Sequence, residues 1–126
     1  MSMNTPLSKA RGLGSAKEGA HHWKAQRLTA IALVPLSIWF ISGIICLAGK
    51  PHADLVAWVQ NPWSASLLIL LLFSLFYHMA LGLQVVIEDY VQATGMKITL
   101  LLITQFGSIL LGLASIVSVL LIATGD

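Results

Sequence analysis

Three long stretches of this sequence contain no Lys, Arg, Asp or Glu: residues 28–49, 59–87 and 98–125. Each stretch exceeds the ~20 residues that an α-helix needs to cross the ~30 Å hydrocarbon core of a membrane. Only 10% of the chain is charged, whereas about 25% is typical of a soluble domain. The sequence therefore predicts an all-α membrane protein with three transmembrane helices.

The three helices are predicted at approximately 27–49, 62–89 and 97–123, and together they form one anchor domain over 27–126. A polar, basic segment, residues 1–26, precedes them and is expected to carry little regular structure. The first apolar stretch begins too late in the chain and is too long for a cleaved signal peptide. We therefore expect two regions, a polar N-terminal segment and a membrane domain.

The basic residues predict an orientation in the membrane. Lys50 and Lys97 lie in the two loops, and the other five basic residues precede the first helix: Lys9, Arg11, Lys17, Lys24 and Arg27. By the positive-inside rule the N-terminus and the 88–97 loop are cytoplasmic, or face the matrix in a mitochondrion. The 50–61 loop and the C-terminus then face outward. The N-terminal cluster could also serve only to pair with lipid phosphates.

His78 lies near the middle of the second apolar stretch. An ionisable side chain at bilayer depth is costly and marks a functional pathway by default. A neutral imidazole is a good axial ligand for haem iron. It could equally be a proton relay, or a packing residue that hydrogen-bonds to another helix. The other histidines, at 21, 22 and 52, lie outside the apolar stretches, so a bis-histidine haem would need a second chain.

One stripe of the second helix runs from His78 toward the cytoplasmic end. At 100° per residue, Gly82, Val85 and Asp89 all fall within about 40° of His78. Gly82 removes a side chain where a flat macrocycle would lie, although close helix packing explains a glycine equally well. Asp89 and Tyr90 come about 16 Å beyond His78, where the helix leaves the hydrocarbon. Both could be ordinary interfacial residues.

The third helix has no ionisable group and is expected to act as structural support. Ser108, Gly112 and Ser115 follow one another at i, i+4 and i+7. Small residues at this spacing are typical of closely packed transmembrane helices. We therefore predict that this face packs against a neighbouring helix.

The sequence resembles the small hydrophobic membrane-anchor (D) subunits of succinate dehydrogenase, respiratory complex II. The resemblance covers residues 11–92, and the 11–17 run is similar to alphaproteobacterial members. Three motifs carry it: Gln26-Arg27-Leu28-Thr29-Ala30-Ile31, His78-(three residues)-Gly82 and Asp89-Tyr90-Val91. It implies a fold in which this chain is half of a heterodimeric haem-binding helix bundle.

The resemblance also implies roles for individual residues. His78 would be one axial ligand of a haem b that is shared with a second, cytochrome b anchor subunit. Arg27 and His21 would contact the haem propionates, for which an arginine fork is well suited; the adjacent His22 leaves the choice of histidine open. Tyr90 would donate a hydrogen bond to a ubiquinone carbonyl, and Asp89 would belong to the charge network of the quinone site.

These implied roles describe a subunit that does not catalyse a reaction alone, in a succinate:ubiquinone oxidoreductase of the tricarboxylic acid cycle and aerobic respiratory chain. No catalytic residue is expected, since the chain has no cysteine cluster, nucleotide loop or carboxylate dyad. Its expected partners are a flavoprotein, an iron–sulfur subunit, the second anchor and the lipid of a bacterial inner membrane, not nucleic acid. The alternatives are a fumarate reductase anchor that uses menaquinone, a small transporter or proton-conducting subunit with His78 as relay, and a structural assembly factor.

Overall fold

The computed structural model describes Pro6, Leu7 and residues 16–126 of the chain. Four helices follow one another from residue 16 onward: α1 (Ala16–Leu47), α2 (His52–Gln60), α3 (Pro62–Tyr90) and α4 (Thr94–Thr124). The three longer ones are long and apolar enough to cross a membrane. Over these residues the predicted all-α membrane fold with three spans is confirmed.

The ends of α3 and α4 follow from local chemistry. Asn61 precedes α3, and its side chain accepts a hydrogen bond of 3.0 Å from the backbone N–H of Trp63. Pro62 takes the first helical position, where its missing N–H removes no helical bond. Gly125 ends α4 with φ of 84°, a left-handed conformation that glycine adopts without steric cost.

The first helix is longer than the sequence predicts. α1 begins at Ala16, eleven residues before the expected start at 27, so residues 16–26 of the polar segment are helical. This part is rich in Ala, Lys, Glu and Gln, which have high helix propensity. Hydropathy shows only where the apolar part of the helix starts. Lys9 and Arg11 of the basic cluster lie outside the described residues.

The short helix α2 occupies the segment between the first two spans, which the sequence predicts only as a link. Its Trp58 stacks on Trp39 of α1, with ring centroids 5.3 Å apart and an angle of 24° between the planes. A Cβ on Gly43 of α1 would lie 2.7 Å from Cζ2 of Trp58. Because real Cβ atoms do not approach this closely, the indole packs on α1 only where residue 43 has no side chain.

The central helix is α3, which packs against both α1 and α4. On α4, Ser108 and Gly112 are buried and Ser115 is half-buried. A Cβ on Gly112 would lie 3.4 Å from Cβ of Phe76 in α3. The predicted small-residue face of the third span is therefore confirmed as a helix-packing surface.

The helices of this chain bury few of its own side chains against one another. Among the described residues no large side chain is fully buried. The buried apolar residues are few, and most of them belong to α3: Leu36, Val59, Ala65, Leu68, Leu71, Leu81 and Ile87. The remaining apolar faces are available to lipid or to another subunit.

Candidate functional site

The candidate site is built around one polar contact between α1 and α3. Oγ1 of Thr29 lies 3.0 Å from Nδ1 of His78. Thr29 is buried, with 7% of its surface exposed, and His78 is half-buried. The two residues are 49 positions apart in sequence, so the contact fixes the register of the first span against the second.

This contact is the one that a packing histidine would make, and it uses only one ring nitrogen. Nδ1 of His78 is taken by Thr29. Nε2 has no hydrogen-bond partner among the described residues, and it is not fully buried. The ring is therefore anchored on one side and still has a nitrogen available for a ligand on the other.

Gly82 lies one helical turn beyond His78 and borders open space. No atom of the described chain lies within 4 Å of the position that a Cβ on Gly82 would take, apart from its own helix backbone and neighbours. Within this chain Gly82 is thus not a site of close helix packing. A flat ligand held at His78 would find room beside this turn, so the residues present fit a haem.

Asp89 and Tyr90 are the last two residues of α3. Both side chains are exposed, Tyr90 at 80%. The neighbouring polar side chains bond to Glu88 instead. Nε2 of Gln84 donates to Oε1 of Glu88 at 2.9 Å, and Nζ of Lys97 donates to the backbone carbonyl oxygen of Glu88 at 3.2 Å. The carboxylate of Asp89 and the phenol of Tyr90 are therefore available to groups from outside this chain.

Arg27 and His21 are not brought against His78 within this chain. Arg27 is exposed, and its Cζ lies 5.2 Å from the centroid of the Trp23 ring. It precedes Thr29 by two positions, about 200° around the helix, and so lies on the side of α1 away from His78. His21 is also exposed. Within this chain neither side chain therefore borders His78.

His22 has a different environment from its neighbour His21. It is half-buried, and its Nε2 is the one buried side-chain nitrogen or oxygen without a hydrogen-bond partner in the described part of the chain. At seven positions before Thr29 it falls within about 20° of the same face of α1, some 10 Å along the helix. The i, i+7 spacing of His22 and Thr29 is a feature of the sequence that distinguishes His22 from His21.

Other parts of the described chain offer no competing metal centre. Nowhere in residues 16–126 do three His, Cys, Asp or Glu side chains come together to hold a bare metal ion. A groove of about 310 Å³ lies between α3 and α4, lined almost entirely by apolar groups, with Gln105 and Ser108 among its few polar residues. It includes none of the stripe from His78 to Asp89. The contact between α1 and α3 is therefore the strongest candidate site.

Comparison with known proteins gives matches along nearly the whole chain. Residues 1–122 match the family described as succinate dehydrogenase/fumarate reductase transmembrane subunit. A protein of Rickettsia bellii named succinate dehydrogenase hydrophobic membrane anchor subunit is 40% identical over 115 residues, covering 90% of each chain. A protein of the same name from Rickettsia conorii is 34% identical over 113 residues, covering 89% of this chain and 90% of its own. Another, from Paracoccus denitrificans, is 33% identical over 104 residues, covering 82% and 80%.

Proposed function

The chain belongs to the succinate dehydrogenase/fumarate reductase transmembrane subunit family, and from this premise we propose how it works as a membrane anchor. In the proposal it binds a succinate:ubiquinone oxidoreductase to the membrane. It supplies one axial ligand to haem b and one wall of the ubiquinone site. The curated relatives carry the name succinate dehydrogenase, which favours this function over fumarate reduction.

One observation carries the haem proposal. His78 is held through Nδ1 by Thr29 while Nε2 has no partner among the described residues, and the adjoining turn at Gly82 is open. Nε2 is therefore the atom that would bind the iron. When bound, haem would supply a one-electron redox centre near the quinone site. The other histidines lie outside the apolar stretches, so a second axial histidine would come from a partner subunit.

Basic side chains near the start of the first span would hold the carboxylates of the haem. Arg27 is exposed and offers a planar fork of donors. His21 is exposed as well. His22 lies on the face of α1 that meets α3, and its Nε2 is buried without a hydrogen-bond partner among the described residues. In the proposal Arg27 and His21 bind propionates, with His22 as the alternative histidine on the α3 side.

The quinone part of the proposal concerns the end of α3. The phenol of Tyr90 would donate a hydrogen bond to a ubiquinone carbonyl oxygen, and its 80% exposure leaves it free to do so. Asp89 would accept from a cationic side chain of the second anchor, since Gln84 and Lys97 both bond to Glu88 instead. Because Tyr90 and Asp89 form only one wall of the proposed ubiquinone site, other subunits would supply the remaining walls.

The exposed apolar faces support the proposed assembly. A chain that encloses so little of its own surface is suited to packing against lipid and a second anchor subunit. The iron–sulfur subunit would dock on the cytoplasmic side at Tyr90, and the flavoprotein would bind to that subunit. With the N-terminus cytoplasmic in a bacterial inner membrane, the basic start of α1 and the end of α3 face the same compartment.

The test is a reduced-minus-oxidised absorbance spectrum of the complex captured through this chain in mild detergent. Wild type should show a b-type haem signal that His78→Ala removes or alters. His52→Ala is the matched control, because His52 is exposed at the start of α2, and it should leave the spectrum unchanged. A spectrum that is the same in wild type and His78→Ala would overturn the ligand role.

A further inference from the structure

We propose that Thr29 is a positioning residue that fixes the proton of His78 on Nδ1 and so keeps Nε2 as a bare, aimed ligand atom. The inference rests on the proposed ligand role of His78 and adds to it a residue on a different helix. Thr29 would touch neither iron nor macrocycle and would act only through the imidazole ring.

The distances around Oγ1 of Thr29 assign the donor. The hydroxyl lies 2.8 Å from the carbonyl oxygen of Ala25 and 3.0 Å from that of Gln26. A threonine hydroxyl has a single proton, and in a helix it characteristically gives that proton to the i−3 or i−4 carbonyl. Oγ1 then has only lone pairs to offer at 3.0 Å to His78, so Nδ1 must be the protonated nitrogen.

The opposite arrangement is incompatible with ligation. If the hydroxyl donated to Nδ1, the neutral ring would carry its proton on Nε2, which would leave no lone pair for a metal. The hydroxyl would also lose both of its carbonyl acceptors at once. The bond from Nδ1–H to Oγ1 is thus the arrangement that satisfies all the polar atoms and leaves Nε2 open.

Burial makes the contact hard to replace. Thr29 has 7% of its surface exposed, so water cannot readily take the place of Oγ1. A ligating histidine generally has such a partner at its second nitrogen, which orients the ring and strengthens the ligand, and loss of that partner typically lowers metal affinity about 10- to 100-fold. Here the partner is a helical hydroxyl whose direction is set by its own backbone bonds.

The test compares Thr29→Val, Thr29→Ser and wild type in the captured complex. Valine keeps the branched shape and removes the oxygen, while serine keeps the oxygen. We expect Thr29→Val to lose haem about 10- to 100-fold more readily to an apo-haem acceptor protein, and to raise the haem midpoint potential, since a ring without its acceptor is a weaker donor. Thr29→Ser should restore both values.

Thr99→Val is the matched control, because Thr99 also bonds the carbonyl four residues earlier, at 2.9 Å, and is exposed. It should leave the haem unchanged. If Thr29→Val does not assemble, Thr29→Ala, which adds no new methyl group, must show the same rise in potential.

The outcomes separate the two proposals. Wild-type potential and haem retention in Thr29→Val or Thr29→Ala, with haem lost in His78→Ala, would overturn the role of Thr29 and leave the ligand role intact. Haem unchanged in His78→Ala, or absent from the assembled wild-type complex, would overturn both.

Discussion

Gly82 lies one helical turn after His78 on α3, and the space into which its side chain would project is open. His78 is anchored to α1 through Thr29, so the ring cannot swing toward that space to fill it. The pair therefore combines a fixed imidazole with a vacant neighbouring turn. This combination is what a planar ligand beside α3 needs.

Filling that space should exclude the ligand. Gly82→Leu places four carbon atoms beside His78, and overpacking typically costs about 1–3 kcal/mol, which corresponds to about 5- to 150-fold in affinity. We expect the haem content of the captured complex to fall accordingly, as measured by difference spectroscopy. Gly107→Leu is the control, because a Cβ there also meets open space but on α4. Full haem content in Gly82→Leu would contradict the proposed position of the macrocycle.

Tyr90→Phe should separate quinone reduction from succinate oxidation. The substitution removes only the exposed phenol oxygen, and a hydrogen bond of this kind is worth about 0.5–1.5 kcal/mol. We expect kcat/KM for a soluble ubiquinone analogue to fall up to about tenfold, with the rate of succinate oxidation by an artificial dye unchanged. Tyr77→Phe is the control on the same helix. Equal loss in both assays would instead indicate a defect in assembly.

The predicted orientation can be checked by cysteine labelling in intact cells. In a Cys46→Ser background, Lys50→Cys should react with a membrane-impermeant maleimide added outside the cytoplasmic membrane. Gln92→Cys, in the exposed segment between α3 and α4, should react only after the membrane is permeabilised. The reverse pattern would place Tyr90 and the N-terminus on the outer side and would remove the proposed docking of the iron–sulfur subunit there.

The packing of α2 on α1 predicts a stability effect at Gly43. A Cβ at this position would lie 2.7 Å from Trp58, so Gly43→Ala must displace the indole at a cost of about 1–3 kcal/mol. We expect a lower midpoint for thermal loss of the assembled complex. Gly107→Ala, which meets no atom within 4 Å, should not lower it. An unchanged midpoint in Gly43→Ala would show that Trp58 moves aside freely.

The sequence predicts the three spans well because hydropathy alone decides which segments leave water. Pro62–Tyr90 matches the expected 62–89 almost residue by residue, since Asn61 and Pro62 mark its start chemically. The early start of α1 is missed because helix propensity, not hydropathy, extends it into polar residues. The short helix α2 is missed because its stabilising contacts, Trp58 on Trp39 and Gly43, are far apart in sequence.

The candidate site is predictable only in part. His78 stands out because an ionisable group in an apolar stretch is conspicuous. Thr29 does not, although it lies in one of the recognised motifs, because a lone threonine in a helix gives no sign of which helix it will face. The difference between His21 and His22 likewise depends on which face of α1 meets α3. The side chains of two helices can be paired only once their packing is known.

The contact between Thr29 and His78 also has a consequence for the order of biogenesis. During synthesis Thr29 leaves the ribosome before His78, since 49 residues separate the two contact partners. A polar partner stabilises an imidazole ring at bilayer depth, and Thr29 is then already present in the chain to form this contact. The imidazole can therefore be oriented by its own chain while the subunit is still alone, and the proposed haem would then bind to a histidine that is already in position.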